Sequence, residues 1–278
     1  MNEQVLQLGP QDHLVGIWTA PAEPRKRIAV LLLNAGVIHR IGAHRTSVKL
    51  ARMLAQRGLG CVRFDLSGVG DSRAPRGALD FRAQAARDIA TVMDAIQQRE
   101  GIRDFALVGI CSGAAHAQAR AVADERVRAA FLIDGFAYPT TRGRWHFARR
   151  MMASYGIGGF LARAARLVAQ RALHASPPQA VIPVDEGPQR SREEFAQDME
   201  ALAARGVDVA LMFTGSVLEH YGYERQLQDS FAGHRWTRQV QVLFEPDMDH
   251  TVTLRSAQVQ LMHRVAAWAD RVAARIAR

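Results

Sequence analysis

The chain has 278 residues, 48% of them hydrophobic, and 36 basic against 27 acidic side chains, for a formal net charge of +9 and a pI near 10.6. That length suits one large α/β domain carrying an insertion, or two small domains. Lys26 and Lys49 are the only lysines, and the arginines are scattered among alanines, so a nucleic-acid-binding face is not expected.

Cys61 and Cys111 are the only cysteines, which excludes a disulfide framework or a cysteine-rich metal cluster and fits a reducing compartment. Residues 1–9 lack the basic and apolar regions of an export signal. No stretch approaches the ~18 uninterrupted apolar residues of a membrane span. A cytoplasmic protein without a membrane span, a bound metal or a cofactor is expected.

Residues 4–8 and 13–19 alternate loosely about Gly9-Pro10-Gln11-Asp12 and predict an opening hairpin. Ile28 to Leu33 is a continuous apolar run, expected of a strand covered on both faces, and it ends at Asn34-Ala35-Gly36. Helical spacing follows from Thr46 to Arg57, with Gly58 as its stop, and Cys61 to Leu66 is the next strand. A glycine loop, Ser67 to Ser72, leads to a helix capped by Asp80 and ended by Gly101.

A strand from Phe105, a helix through Val122 and a strand from Val127 to Ile133 continue the alternation, which implies a parallel sheet with helices on both faces. From about Phe136 to Arg205 no strand is legible, only Arg-rich and Met-rich helical stretches and a Pro-containing segment. Alternation resumes with strands at Val207 to Phe213 and Val240 to Phe244 and ends in a helix carrying Leu261, Val265, Trp268 and Val272 on one stripe. The expected architecture is therefore a mostly parallel eight-stranded α/β sheet, with residues 1–136 and 206–278 forming the core and 137–205 an inserted helical lid.

The most informative stretch is Gly109-Ile110-Cys111-Ser112-Gly113, between the strand from Phe105 and the helix from Ala114. A strand that reverses sharply into a helix needs glycine two residues either side of the turning residue, because side chains there collide with backbone. That spacing puts Cys111 at the tip. Ser112 would instead need glycine at 110 and 114, where the chain has Ile110 and Ala114. The following helix N-terminus, together with a neighbouring histidine cation, favours a thiolate and a developing oxyanion.

A nucleophile at the tip needs a base from elsewhere in the chain. His250 is placed for it, in the loop Asp247 to Thr251 after the last strand. The acid that orients His250 is expected in the loop Thr214 to Glu224, where Glu219 is the first carboxylate; Asp134, at the end of the strand before the insertion, is the alternative. The oxyanion hole is expected from the backbone N–H of Ser112 and that of Gly36 or Val37. Met151, Met152 and Phe160 are expected to line an adaptable apolar substrate pocket beneath an arginine rim.

Asn34-Ala35-Gly36, then Phe64-Asp65-Leu66-Ser67-Gly68-Val69-Gly70-Asp71-Ser72, then the elbow, then Asp249-His250 resemble the α/β-hydrolase superfamily over nearly the whole chain. The narrower likeness is to the lidded, serine-aminopeptidase-like branch, including hydrolases associated with bacterial exosortase systems. The resemblance implies catalytic roles for Cys111 and His250, oxyanion roles for Ser112 and the Gly36-Val37 turn, and a structural role for Asp65. Three departures stand out: Asn34-Ala35-Gly36 replaces His-Gly, Asp65-Leu66-Ser67-Gly68 replaces Asp-x-Arg-Gly, and cysteine replaces serine as the nucleophile, as in dienelactone hydrolases and polyester synthases.

The expected activity is hydrolysis of an ester or thioester through a Cys111 acyl-enzyme, with His250 as general base and a small acyl compound as substrate, whether free or carried on coenzyme A or a carrier protein. Transfer or cyclisation of an acyl group from a carrier thioester onto an alcohol or amine is the first alternative. A non-catalytic small-ligand binder on the same fold is the second.

Overall fold

The computed structural model describes residues 2–77, 79–173 and 190–278; the side chains of Ile157 and of residues 160–173 lie outside the description. Strands β1 (Glu3–Leu8) and β2 (Leu14–Thr19) form the hairpin, and β3 (Ile28–Leu32) is the first buried strand. Then come α1 (Thr46–Gln56), β4 (Gly60–Phe64), α2 (Phe81–Glu100), β5 (Asp104–Ile110), α3 (Ser112–Ala123) and β6 (Val127–Ile133). Helices α4 (Thr141–Leu173) and α5 (Arg192–Ala204) precede β7 (Asp208–Thr214), which is followed by α6 (Gln226–Ser230), β8 (Gln241–Glu245) and α7 (Arg255–Ile276).

The eight strands form one sheet in the order β1-β2-β4-β3-β5-β6-β7-β8. The β1–β2 and β2–β4 pairs are antiparallel, and every other pair is parallel. All parallel strands therefore end on one edge, where the loops carrying Gly36, Cys111, Asp134 and His250 emerge.

The continuous apolar runs read in the sequence resolve into two faces with the strand period of two. In β3, Ala29 and Leu31 face one layer, with Phe105, Leu107, Leu132 and Phe213. Ile28, Val30 and Leu32 face the other, with Ala106, Val108, Phe131 and Met212. Helices α2, α3 and α5 cover the first layer through Ile89, Val92, Ala117, Phe195 and Met199. Helices α1 and α7 cover the second through Leu54, Leu261, Val265 and Trp268.

Helix boundaries follow side-chain chemistry. Asp80 caps α2 by accepting from Ala83 N, and Ser191 and Glu194 form a reciprocal capping box on α5. Gly58 follows α1 at φ +81°, where a Cβ would stand 2.2 Å from Pro24 O.

The insertion between β6 and β7 contains two unlike helices. α5, inside the expected lid range, buries Phe195, Met199 and Leu202 completely or nearly so and packs against the sheet like any crossover helix. α4 breaks at Gly156 (φ 68°, ψ 169°), and most of residues 149–159 are exposed. Residues 174–189 of the expected lid lie outside the described residues.

Candidate active site

The turn from β5 into α3 has one geometry that its residues permit. A Cβ at Gly109 would lie 2.2 Å from Gly113 O, and one at Gly113 would lie 2.4 Å from Asn34 O, so neither position accepts a side chain without moving backbone. Cys111 between them has φ 56° and ψ −122°, a conformation costing a non-glycine residue roughly 1–3 kcal/mol. It is held by Cys111 N donating to Ile133 O at 2.9 Å and by the α3 bonds beginning at its carbonyl. A further close approach, not read in the sequence, is at Gly135, where a Cβ would sit 2.5 Å from Ala114 Cβ.

The two cysteines occupy opposite environments. Cys61 is fully buried in β4, and burial pushes its thiol pKa up, leaving it an inert packing residue. Cys111 is half-buried at the strand end, close enough to the His250 imidazole to help raise that histidine's pKa.

His250 sits in the loop after β8, where its N–H donates to Ser216 Oγ at 2.7 Å. Met248 O accepts from Gly215 N at 2.7 Å, tying that loop to the end of β7. His250 Nδ1 lies 2.9 Å from Asp134 Oδ2. The Asp134 side chain is fully buried and accepts from Thr214 N at 2.8 Å and from Thr214 Oγ1 at 2.6 Å. The hydrogen bond to Asp134, then that to Cys111, raises the His250 pKa to about 10 against the opposing effect of burial.

Glu219, the acid expected first, does not lie against His250. It is exposed beyond β7, and the carboxylate in contact with His250 is that of Asp134. Chain order alone left both loops open, since both emerge on the same sheet edge. The usable signal was Ile133-Asp134-Gly135: a carboxylate that directly ends a buried strand is fixed in space, and aspartate is among the residues that tolerate the positive φ (51°) found there. Asp249 instead builds its own loop, accepting from Thr251 N and Thr253 N.

Ser112 opens α3, where first-turn N–H groups have no partner within the helix. Its hydroxyl accepts the Gly36 N–H at 2.7 Å, so the second expected donor is held by the side chain next to the nucleophile. Val37 lies in the Ala35–Ile38 turn with 63% of its surface exposed.

The turn is anchored from below. Asn34 donates to Ile38 O at 2.7 Å and accepts from Leu66 N at 2.9 Å. Fully buried Asp65 accepts from Arg40 N, Asn34 Nδ2 and Asp71 N and pairs with the Arg40 guanidinium. Asn34 thus ties the loop after β3 to the loop after β4. Donor atoms of His39, Asp65 and Asp71 lie within 4.8 Å of one another, but Arg40 bridges the two carboxylates and supplies their counter-charge.

A pocket open to solvent lies beside His250 and is lined by Leu32, Ala35, Ile38, Ile110 and Val252 among others. Met151 is half-buried and Met152 is exposed on α4; the Phe160 side chain lies outside the described residues. Among the described residues no helix is long and apolar enough to cross a membrane.

The family model described as "Alpha/beta hydrolase family" matches residues 30–275. No curated protein sequence matches the chain. Among solved structures, the chain is similar to XC6422 from Xanthomonas campestris, titled an a/b serine hydrolase without lid (16% identity, 97% of this chain and 94% of that one, TM-score 0.57). It is also similar to a proline iminopeptidase of Mycobacterium smegmatis (15%, 98% and 100%, 0.59) and to a thermophilic esterase of Thermogutta terrifontis (16%, 98% and 99%, 0.58). With its family match spanning the elbow, the strand-end carboxylate and the histidine loop, the chain belongs to the alpha/beta hydrolase family.

Proposed function

We propose that the protein hydrolyses an ester or thioester of a small acyl compound through a covalent intermediate on Cys111. The observation that carries this reading is the single imidazole bridging Cys111 at the strained elbow and the buried Asp134 carboxylate. His250, its pKa raised to about 10, carries the thiol proton as the sulfur attacks the acyl carbon. The carbonyl π electrons move onto oxygen, to which we assign the Ser112 N–H and the Gly36 N–H as donors; the latter becomes free when the Ser112 hydroxyl rotates away.

Collapse of the tetrahedral species breaks the bond to the leaving alcohol or thiol, which takes the proton from His250. The now neutral imidazole removes a proton from water as it attacks the thioester, and the Cys111 thiolate leaves with His250 protonated again. The Asp134 carboxylate fixes the tautomer and stabilises the cation. An iminopeptidase and an esterase among the similar structures agree with acyl transfer to water as the reaction class. Within the insertion, α4 is the segment we assign as the lid, since α5 belongs by packing to the sheet layer.

A p-nitrophenyl ester provides the test. Wild-type protein is expected to release a stoichiometric burst of p-nitrophenolate followed by slower turnover, and Cys111→Ala to release none. A burst of equal size in Cys111→Ala would remove Cys111 from the mechanism.

A further inference from the structure

The proposed reaction does not account for the composition and exposure of α4. No Asp or Glu occurs anywhere between Asp134 and Asp185, whereas the α4 sequence contains seven arginines. The N-terminal half of the helix rests on the body through Gly143 and His146. Gly143 is buried against Gln226, and His146 stacks on Tyr223 at 5.2 Å between ring centroids.

At 3.6 residues per turn, the opposite side carries Trp145, Ala148, Met152 and Tyr155 in one stripe. Trp145 is 56% exposed, Met152 37% and Tyr155 59%. Arg142 and Arg149 border the stripe on one side and Arg144 on the other. Arg142 is engaged with Asp229 and the Tyr223 ring, and Arg149 lies over the Trp145 ring, while both arginines remain exposed.

A second apolar group lies on the same sheet edge. Val37, Ile38 and Ile41, in the loop after β3, are 63%, 40% and 39% exposed. Strands β3 and β6 run parallel in one sheet, so this loop and α4 both emerge on the edge that carries Cys111 and His250.

An apolar stripe bordered by arginines, without one acidic residue on the helix, is the chemistry of a helix lying in a lipid–water interface. A tryptophan at such a boundary buries its ring at the headgroup level, and arginines draw the helix to anionic lipid. An acidic protein partner would satisfy the arginines and leave Trp145, Met152, Val37 and Ile41 without an apolar counterpart. We propose that the N-terminal half of α4, together with the loop after β3, docks this edge of the sheet onto an anionic lipid surface, with the mouth of the active site facing the bilayer.

The tryptophans make this measurable in the full chain. Trp18, Trp236 and Trp268 are at most 1% exposed, so a change in emission on binding reports Trp145. Phosphatidylcholine vesicles containing about a quarter phosphatidylglycerol are expected to shift the emission to the blue and to sediment the protein; pure phosphatidylcholine vesicles and soluble polyglutamate are expected to do neither. Arg144→Gln and Arg149→Gln should each weaken sedimentation roughly fivefold, and Trp145→Ser should weaken it by about tenfold. Cys111→Ala should bind as the wild type does, which separates this surface from the proposed chemistry. Absence of binding to anionic vesicles at low salt, or equal binding of wild type and Trp145→Ser, would overturn the proposal. So would binding to polyglutamate with the same arginine dependence, which would point to an acidic macromolecule.

Discussion

The end of β6 and the loop after β7 each offer a carboxylate on the edge where His250 lies, and they differ in what holds it. Asp134 is fully buried, is built onto a strand end, and accepts two hydrogen bonds from Thr214 besides its contact with the imidazole. Glu219 is exposed on a loop past the strand. A carboxylate that must stay ionised and in register beside a histidine cation needs donors to replace lost water and a rigid element to fix it, and only the β6 site has both.

The largest expected effect comes from removing that carboxylate's charge. Asp134→Asn should lower single-turnover acylation by roughly 10³–10⁴-fold, since the imidazole loses both its orientation and the partner of its cation. Single-turnover rates with a p-nitrophenyl ester measure it; an unchanged rate would return the acid to the Glu219 loop. A smaller loss is expected from Thr214→Val, which deletes one donor to Asp134 and keeps the shape. Roughly tenfold in acylation is the scale of a hydrogen bond to a charged group, and KM for a short ester should not move.

The pH dependence sharpens the same comparison. The His250 pKa is raised from the ordinary value near ~6.5 to about 10, so protonation favours the folded state. That contribution is fully present below about pH 6.5 and is lost as pH rises through about 10. Denaturant melts across this window should show wild-type stability falling with pH, and Asp134→Asn should flatten the slope because it removes the first-ranked cause of the shift. A slope unchanged in Asp134→Asn and abolished in Glu219→Gln would contradict the geometry.

The smallest effect is expected from Glu219→Gln, whose acylation rate should stay within about twofold of wild type, as exposed surface substitutions generally do.

How much of this the sequence could show depended on whether a residue's role is local. The elbow was legible because its signature, a glycine two residues either side of the tip, lies within five residues; the clash at Gly109 arises inside the turn, while that at Gly113 is with Asn34 O from the loop after β3. The sheet was legible because apolar runs and helical stripes alternate along the chain, and β3 to β8 lie close to the predicted positions. Asp134 was legible only as an alternative, since its pairing spans 116 residues and its Thr214 donors spring from a third segment. The insertion showed a similar limit. Loss of strand periodicity marked 137–205 as one unit, whereas packing separates α5, with Phe195 and Met199 in the core, from residues 149–159 of α4, most of which are exposed. Likewise, Ser112 was read as a backbone donor, and its hydroxyl's hold on Gly36 N, 76 residues away, left no trace in the local pattern.

The central claim, that sulfur at the elbow carries the acyl group, is tested most directly by intact mass and peptide mapping of protein quenched during turnover of a slow acyl ester. One acyl group on Cys111, absent in Cys111→Ala and retained in Ser112→Ala, is the expected result. An acyl group on Ser112, or one that persists in Cys111→Ala, would contradict it.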